Sequence, residues 1–329
     1  MNSFGRIFRI QIFGESHGPY VGVTIDGCPA GLPLSIDDFE DDLSRRRSGA
    51  LGTTERQEPD VPQIISGWYN GCTTGAPLTI IFANEDVNAA DYERFRNVPR
   101  PGHADFAACK KWRGYNDIRG GGYLSGRLTV ALVAAGVIAK KLIAPVNVYA
   151  NLVKAGGSYD IQEAVEEAVK DGDSIGGVIE CFAQGIPCGW GEPFFDSVES
   201  LISHLLFAIP GVKGVDFGAG FGAADMRGSE YNDAIILPTG KTKENNAGGI
   251  TGGITNGNDL FMTVAIRPPS SIRKTQQTFD LVAGKETELQ ASGRHDACFA
   301  LRTPVIVEAA VAVVLADLQF KSVLDKNIF

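Results

Sequence analysis

Apolar and polar positions alternate with period two over residues 7–13 and again over 21–25, and the segment between them, Gly14-Glu15-Ser16-His17-Gly18, has the composition of a turn. The chain is therefore expected to open with a β-hairpin. Ser35 then precedes a helical pattern with Asp37 and Asp38 in its first turn and Arg45-Arg46-Arg47 at its end, both of the sign that suits a helix dipole. After a polar loop over 48–60, residues 61–65 and 78–82 read as strands. Residues 84–123 are mostly irregular, with room for short helical pieces; a stretch of that length inside a compact domain is usually functional. Residues 125–142 are apolar on most faces and predict a buried helix, whereas 161–170 predicts an exposed amphipathic one. Residues 178–184, 212–217 and 260–266 read as strands. Asp196 is expected to cap a helix reaching residue 208, and Pro304 to start a final apolar helix over 304–319. Irregular alternation with frequent hairpins predicts an α+β fold with antiparallel sheet rather than a doubly wound parallel one. No linker and no long-period repeat divides residues 1–329, which are read as a single domain.

Composition narrows the class. With 44% hydrophobic and 21% charged residues, the chain can bury a large core. Its net charge of −9 argues against a general nucleic-acid or anionic-membrane binder, but not against a local basic pocket. Arg6 and Arg9 interrupt the first apolar stretch, so no signal peptide is read there, and the apolar run over 128–139 is too short to span a bilayer. The six cysteines are scattered without a CxxC pair, which suggests a reducing, cytoplasmic setting and no zinc site.

Candidate chemistry lies in three themes. Histidines are few: His17 in the opening turn, His103 in Arg100-Pro101-Gly102-His103-Ala104-Asp105, His295 in Gly293-Arg294-His295-Asp296, and His204 in mid-helix. His204 reads as structural; His17 and His103 read equally as turn residues or as acid–base groups. Arginines recur beside these clusters (45–47, 56, 100, 119, 127, 267, 294), in an acidic chain, and point to an anion pocket. Glycine runs at 120–122 and 248–253 admit close approach of a phosphate or a flat ring, or are simply loops with positive φ. Gly218-Ala219-Gly220-Phe221-Gly222-Ala223 loosely matches a dinucleotide fingerprint but lacks a following periodic helix, so it is set aside.

Taken together, FGESHG (13–18), DLSRRRSG (42–49), RPGHAD (100–105), RGGGYLSGRLT (119–129), GEPFFDS (191–197), AIPGVKGVDFG (208–218), NNAGGITGGITNG (245–257), RPPSSI (267–272) and GRHDACFALRTPVIVEA (293–309) resemble the chorismate synthase family over nearly the whole chain. The resemblance implies a β-α-β sandwich of mainly antiparallel sheets enclosing helices, and a homotetramer. It implies a carbon–oxygen lyase that removes phosphate from 5-enolpyruvylshikimate 3-phosphate by 1,4-anti elimination to give chorismate, with reduced FMN required. It implies that His103 protonates reduced flavin, that His17 stands near the departing phosphate, and that Asp296 helps the flavin take the C6 proton. Arg46, Arg100, Ser125, Arg127 and Arg294 match substrate-facing positions. Tyr123, Leu124, Ser125, Pro210, Gly211, Gly252, Arg267, Pro268, Pro269, Ser270, Ser271 and Arg294 match flavin-facing ones. Arg46 also matches the region assigned to NADPH. No added segment suggests a built-in flavin reductase, so an external source of reduced FMN is expected. The chain departs from many relatives at Ala50-Leu51-Gly52, where they carry a further basic residue, at Asn246, where they carry histidine, and in a shorter 151–173 segment.

Two other functions use the same residues. A flavin-dependent oxidoreductase would consume NAD(P)H without releasing phosphate. A non-catalytic phosphometabolite- or flavin-binding protein would bind without turnover. The lyase is favoured because only catalysis needs acid–base histidines.

Overall fold

A computed structural model describes residues 2–87, 92–291 and 293–326. The first half supplies strands β1 (Ser3–Phe4), β2 (Arg9–Gly14) and β3 (Tyr20–Asp26), helix α1 (Glu40–Arg46), and strands β4 (Gln63–Ser66), β5 (Trp68–Tyr69), β6 (Cys72–Thr73) and β7 (Leu78–Ala83). Helices α2 (Asp105–Lys111) and α3 (Thr129–Ile143) follow, then β8 (Asn147–Ala155), α4 (Ile161–Lys170), β9 (Gly177–Gln184), α5 (Val198–Leu206), β10 (Val212–Phe217) and α6 (Gly228–Tyr231). The chain ends with β11 (Ile250–Thr251), β12 (Ile254–Thr255), β13 (Leu260–Ile266), β14 (Gln276–Asp280), β15 (Lys285–Leu289) and α7 (Pro304–Lys326).

One sheet has the order β1-β2-β3-β7-β4 and the other β10-β13-β9-β8, with neighbouring strands antiparallel throughout. α3 packs on the first sheet, α7 on the second, and the two helices pack on each other. The result is the expected sandwich: sheet, helices, sheet. Period-two patterning explains the inward faces. Val21, Val23 and Ile25 of β3 and Leu78, Ile80 and Phe82 of β7 are fully buried toward α3. Ile179, Cys181 and Ala183 of β9 do the same toward α7. A helix covered on both sides must be apolar all round, which is what α3 and α7 are. Their axes meet where Gly136 faces Ala309; a Cβ on Gly136 would stand 2.3 Å from that of Ala309. Buried charges tie the layers together. Glu308 of α7 accepts hydrogen bonds from Arg45 Nη2 (2.6 Å), Lys140 Nζ (2.8 Å) and the Ala150 N–H (2.9 Å), so Arg45 is a structural residue.

Several expectations are corrected. The cap of α5 is Ser197, whose Oγ accepts the Ser200 N–H at 3.1 Å; Asp196 pairs instead with Arg6 at 2.6 Å. α3 begins at Thr129, preceded by a 3-10 turn over Gly126–Leu128, and α7 runs beyond residue 319. The 84–123 stretch contains α2 and short 3-10 turns; its residues 88–91 lie outside the described residues. β10 pairs antiparallel with β13 and is followed by a 3-10 turn over Gly220–Asp225, which leaves no dinucleotide-type unit at 218–223. No helix among the described residues is long and apolar enough to cross a membrane.

Candidate active site

An open cleft with a cavity volume of about 240 Å³ lies where loops from both halves of the sandwich converge. Its walls are the end of α1 with the loop after it, the 100–103 turn, the 120–127 segment leading into α3, Pro210–Gly211, residues 267–271 after β13, and residues 294–302 before α7. Eight arginines line it (46, 47, 56, 100, 127, 267, 294, 302) against three carboxylates, Glu58, Asp60 and Asp296. In a chain of net charge −9 this is a concentrated positive site.

The deepest part is built on Asp60. Arg46 Nη2 donates to one of its carboxylate oxygens and Arg127 Nη1 to the other, and both guanidiniums are only 4% exposed. Arg127 is further fixed by Asn84 Oδ1 (2.8 Å) and the Ala83 carbonyl (3.0 Å). Asp60 has φ of +51°, a region non-glycine residues rarely occupy, so its surroundings hold it there. Burial pushes its carboxyl up, but the two arginines outweigh that and hold it below the usual carboxylate range. Burial and repulsion from Arg302 and Arg127 bring Arg46 down to about 10, despite the attraction of Asp60. Two buried cations share one anion here, so an incoming anion completes the charge balance.

Other arginines are aimed by their own partners. Arg100 donates to Asp105 through Nε and Nη2 (2.8 Å each) and to Ser271 Oγ through Nη1 (3.0 Å), and lies over the Phe95 ring at 4.3 Å. Arg294 pairs with Asp86 at 2.6 Å; the bond raises the guanidinium pKa and lowers that of Asp86. Arg302 pairs with Asp296 at 2.8 Å, and Asp296 Oδ1 also accepts the Thr54 N–H at 3.0 Å. Arg267 Nη1 donates to Ser270 Oγ (2.7 Å) and the Pro268 carbonyl (2.8 Å), and Arg267 makes no ion pair among the described residues.

The two imidazoles flank consecutive glycines. A Cβ on Gly120, whose φ is +57°, would lie 2.2 Å from His17 Nδ1; one on Gly121 would lie 4.0 Å from His103 Nε2. Only glycine lets the strip pass so close over His17. His103 lines the cleft directly. His17 is buried behind Gly120 and meets edge-on the ring of Tyr92, another wall residue, at 5.3 Å. Arg56 ties this turn to the cleft by donating to Ser16 Oγ (2.8 Å) and the Ser16 carbonyl (2.9 Å). Burial, then the nearby Arg100 and Arg267, push the His103 pKa below its ordinary value in spite of Asp105.

The structure brings together His103, Asp296, Arg46, Arg100, Ser125, Arg127, Arg294, Leu124, Pro210, Gly211 and residues 267–271 in this one cleft. Tyr123 instead lines a neighbouring cavity of about 370 Å³ that shares His103, Gly121 and Leu124 with the cleft. Gly252 is not in the cleft either; it forms the β11–β12 turn. Asn246, in place of the histidine of many relatives, serves its loop, with Nδ2 donating to the Tyr231 carbonyl at 3.2 Å. His204 packs edge-on against Phe4 as a structural residue. Asp60, Asp105, Asp86 and Arg302 escaped the sequence reading. Asp105 had a signal, standing two residues after His103, whereas Asp60 ends a polar loop with nothing to mark it.

A positive cleft with an imidazole on its wall, set between antiparallel sheets around buried helices, has the make-up of an enzyme site for a small molecule. The chain belongs to the chorismate synthase family. The family model described as "Chorismate synthase" matches residues 8–320. The chain is 54% identical over 330 residues to a chorismate synthase of Chitinophaga pinensis, covering 100% of this chain and 99% of that one. It is 43% identical over 346 residues to one of Korarchaeum cryptofilum, covering 95% and 96%. A crystal structure of chorismate synthase superposes with a TM-score of 0.74 at 25% identity, covering 97% of this chain and 93% of that one.

Proposed function

We propose that this chain converts 5-enolpyruvylshikimate 3-phosphate into chorismate and phosphate by a 1,4-anti elimination that needs reduced FMN. The observation that carries the proposal is the arginine-lined cleft with both imidazoles against its Gly120–Gly121 wall. The substrate carries carboxylates and a phosphate, and the cleft offers an excess of guanidiniums to match them. Balance is simple: a proton leaves C6, phosphate leaves C3, the C–H electrons enter the new diene, and nothing is oxidised overall.

Arg46, Arg100, Ser125, Arg127 and Arg294 would hold the substrate. The wall formed by Pro210, Gly211, Arg267, Pro268, Pro269, Ser270 and Ser271, with Leu124 and Ser125 opposite, suits FMN. Arg267, steadied by Ser270 Oγ, would receive an anion, and Gly211 leaves an open backbone surface for a flat ring. Reduced FMN, when bound, supplies electron density to the allylic system as phosphate leaves. His103 holds or delivers a proton at Nε2; anions filling the cleft raise its proton affinity from the depressed value. His17 acts through or around Gly120 on the leaving-group side, with Arg56 fixing its turn. Asp296, oriented by Arg302 and Thr54, would help the cofactor take the C6 proton. Arg46 is also where the family resemblance would bring NADPH. We expect reduced FMN to come from an external flavin reductase. We also expect a homotetramer, in keeping with the exposed Phe194, Phe195 and Phe221.

The test is an anaerobic incubation with chemically reduced FMN and 5-enolpyruvylshikimate 3-phosphate. Phosphate and chorismate should appear in equal amounts with FMN reused. NAD(P)H consumption without phosphate would favour a reductase, and ligand binding without turnover a binding protein. The substitution His103→Ala should cut turnover by roughly 10²-fold while flavin still binds; parental turnover removes His103 from the chemistry.

A further inference from the structure

We infer that Asp105 is the positioning residue of His103: its carboxylate holds the imidazole as the Nδ1–H tautomer, so that Nε2, on the Gly121 side, is the nitrogen that gives or takes the proton. The inference rests on His103 being an acid–base group, as proposed above.

Asp105 is the first residue of α2, and its side chain is only 2% exposed. Its carboxylate cannot rotate freely. Arg100 donates Nε to Oδ2 and Nη2 to Oδ1, each at 2.8 Å, and its backbone N–H reaches Oδ2 at 3.1 Å. Oδ1 lies 2.6 Å from His103 Nδ1. A lone pair on Nδ1 facing a carboxylate oxygen at that distance is repulsive; an N–H is a short, charge-assisted hydrogen bond. Nδ1 therefore carries the proton. Arg100 Nη2 is also within hydrogen-bond reach of the same Nδ1, at 3.2 Å; the carboxylate oxygen is the nearer partner by 0.6 Å, and a proton on Nδ1 serves that shorter contact.

The ion pair with Arg100 also keeps Asp105 from taking that proton. Burial pushes the carboxyl up, yet the hydrogen bonds from Arg100 and His103 outweigh it and hold it well below the usual carboxylate range. Asp105 stays ionised and orients the ring, as a buried carboxylate does behind a catalytic histidine elsewhere. The charged groups facing His103 are Asp105 and Arg100 from its own turn and Arg267 from the 267–271 loop. Of these, only Asp105 favours the imidazolium. Removing its charge therefore lowers the pH at which His103 titrates.

The chain has four histidines, so nitrogen NMR of the ¹⁵N-histidine-labelled full chain can resolve them, with His103→Gln assigning the signal of interest. Above its titration, His103 should show a protonated Nδ1 and a bare Nε2. In Asp105→Asn the tautomer should be lost or reversed and the titration should move to lower pH. kcat should fall between about 10- and 10⁴-fold with KM changing far less. A protonated Nε2 in the parent chain overturns the inference even if Asp105→Asn does not fold. Parental tautomer and titration in a folded Asp105→Asn overturn it as well. Full turnover by His103→Gln instead removes the acid–base assignment beneath it, and the NMR still reports separately whether Asp105 sets the tautomer.

Discussion

Asp60 concentrates the physics of the site in one side chain. It faces Arg46 and Arg127 at once, both nearly buried. The substitution Asp60→Asn leaves the shape and removes the only negative charge touching either guanidinium among the described residues. Breaking a buried pair in this way costs about 3–5 kcal/mol. We expect a lower denaturant midpoint together with weaker substrate binding, since the two arginines would repel each other out of place. A midpoint and a substrate dissociation constant both equal to the parent's would show that Asp60 organises neither. The arginines were visible in the sequence because they recur in a net-acidic chain among glycine and proline. Their counterions were not, because a lone aspartate in a polar loop looks the same whether it faces water or two cations.

Elements were legible where burial is one-sided. The alternation over 178–184 and 260–266 predicts strands because one face of each is buried, and the structure has β9 and β13 there. β8 escaped notice because apolar Tyr149 and Val153 share a face with Asn147 and Asn151, and its register with β9 shifts between Leu152 and Lys154. The β14–β15 hairpin was missed because its strands, QQTFD and KETEL, are largely polar and exposed. The helix pair α3 and α7 carries its own test. Gly136 has no room for a methyl group against Ala309, whose Cα would be 2.5 Å away. Gly136→Ala should push the helices apart and cost about 1–3 kcal/mol, read as a lower urea midpoint. An unchanged midpoint would mean that the helices do not cross this closely.

At the scale of the whole molecule, buried carboxylates couple stability to pH. Burial pushes Glu308 up, but hydrogen bonds from Arg45 and Lys140 outweigh it and hold its pKa below the ordinary value. Asp60 and Asp105 are depressed too. A group with a lower pKa folded than unfolded stabilises the fold above its unfolded value, near 4 for these types, and that contribution is lost as pH falls through the folded value. Urea midpoints should therefore decline as the pH drops from about 5 to 3. Glu308→Gln should be less stable at pH 7 and should show a shallower decline; a variant with the full parental slope would remove Glu308 from the acid response.

Loops from both halves of the sandwich make the cleft, and no local pattern announces that meeting. Distant motifs reveal it only as a set, through their shared excess of arginine, glycine and histidine. The most direct measurement is diffraction from crystals grown with FMN and 5-enolpyruvylshikimate 3-phosphate. Both molecules should occupy the cleft between the Gly120–Gly121 strip and residues 267–271, with His103 Nε2 within hydrogen-bond reach, about 2.6–3.2 Å, of one of them. Density for either ligand outside this cleft, with His103 facing empty solvent, would contradict the account.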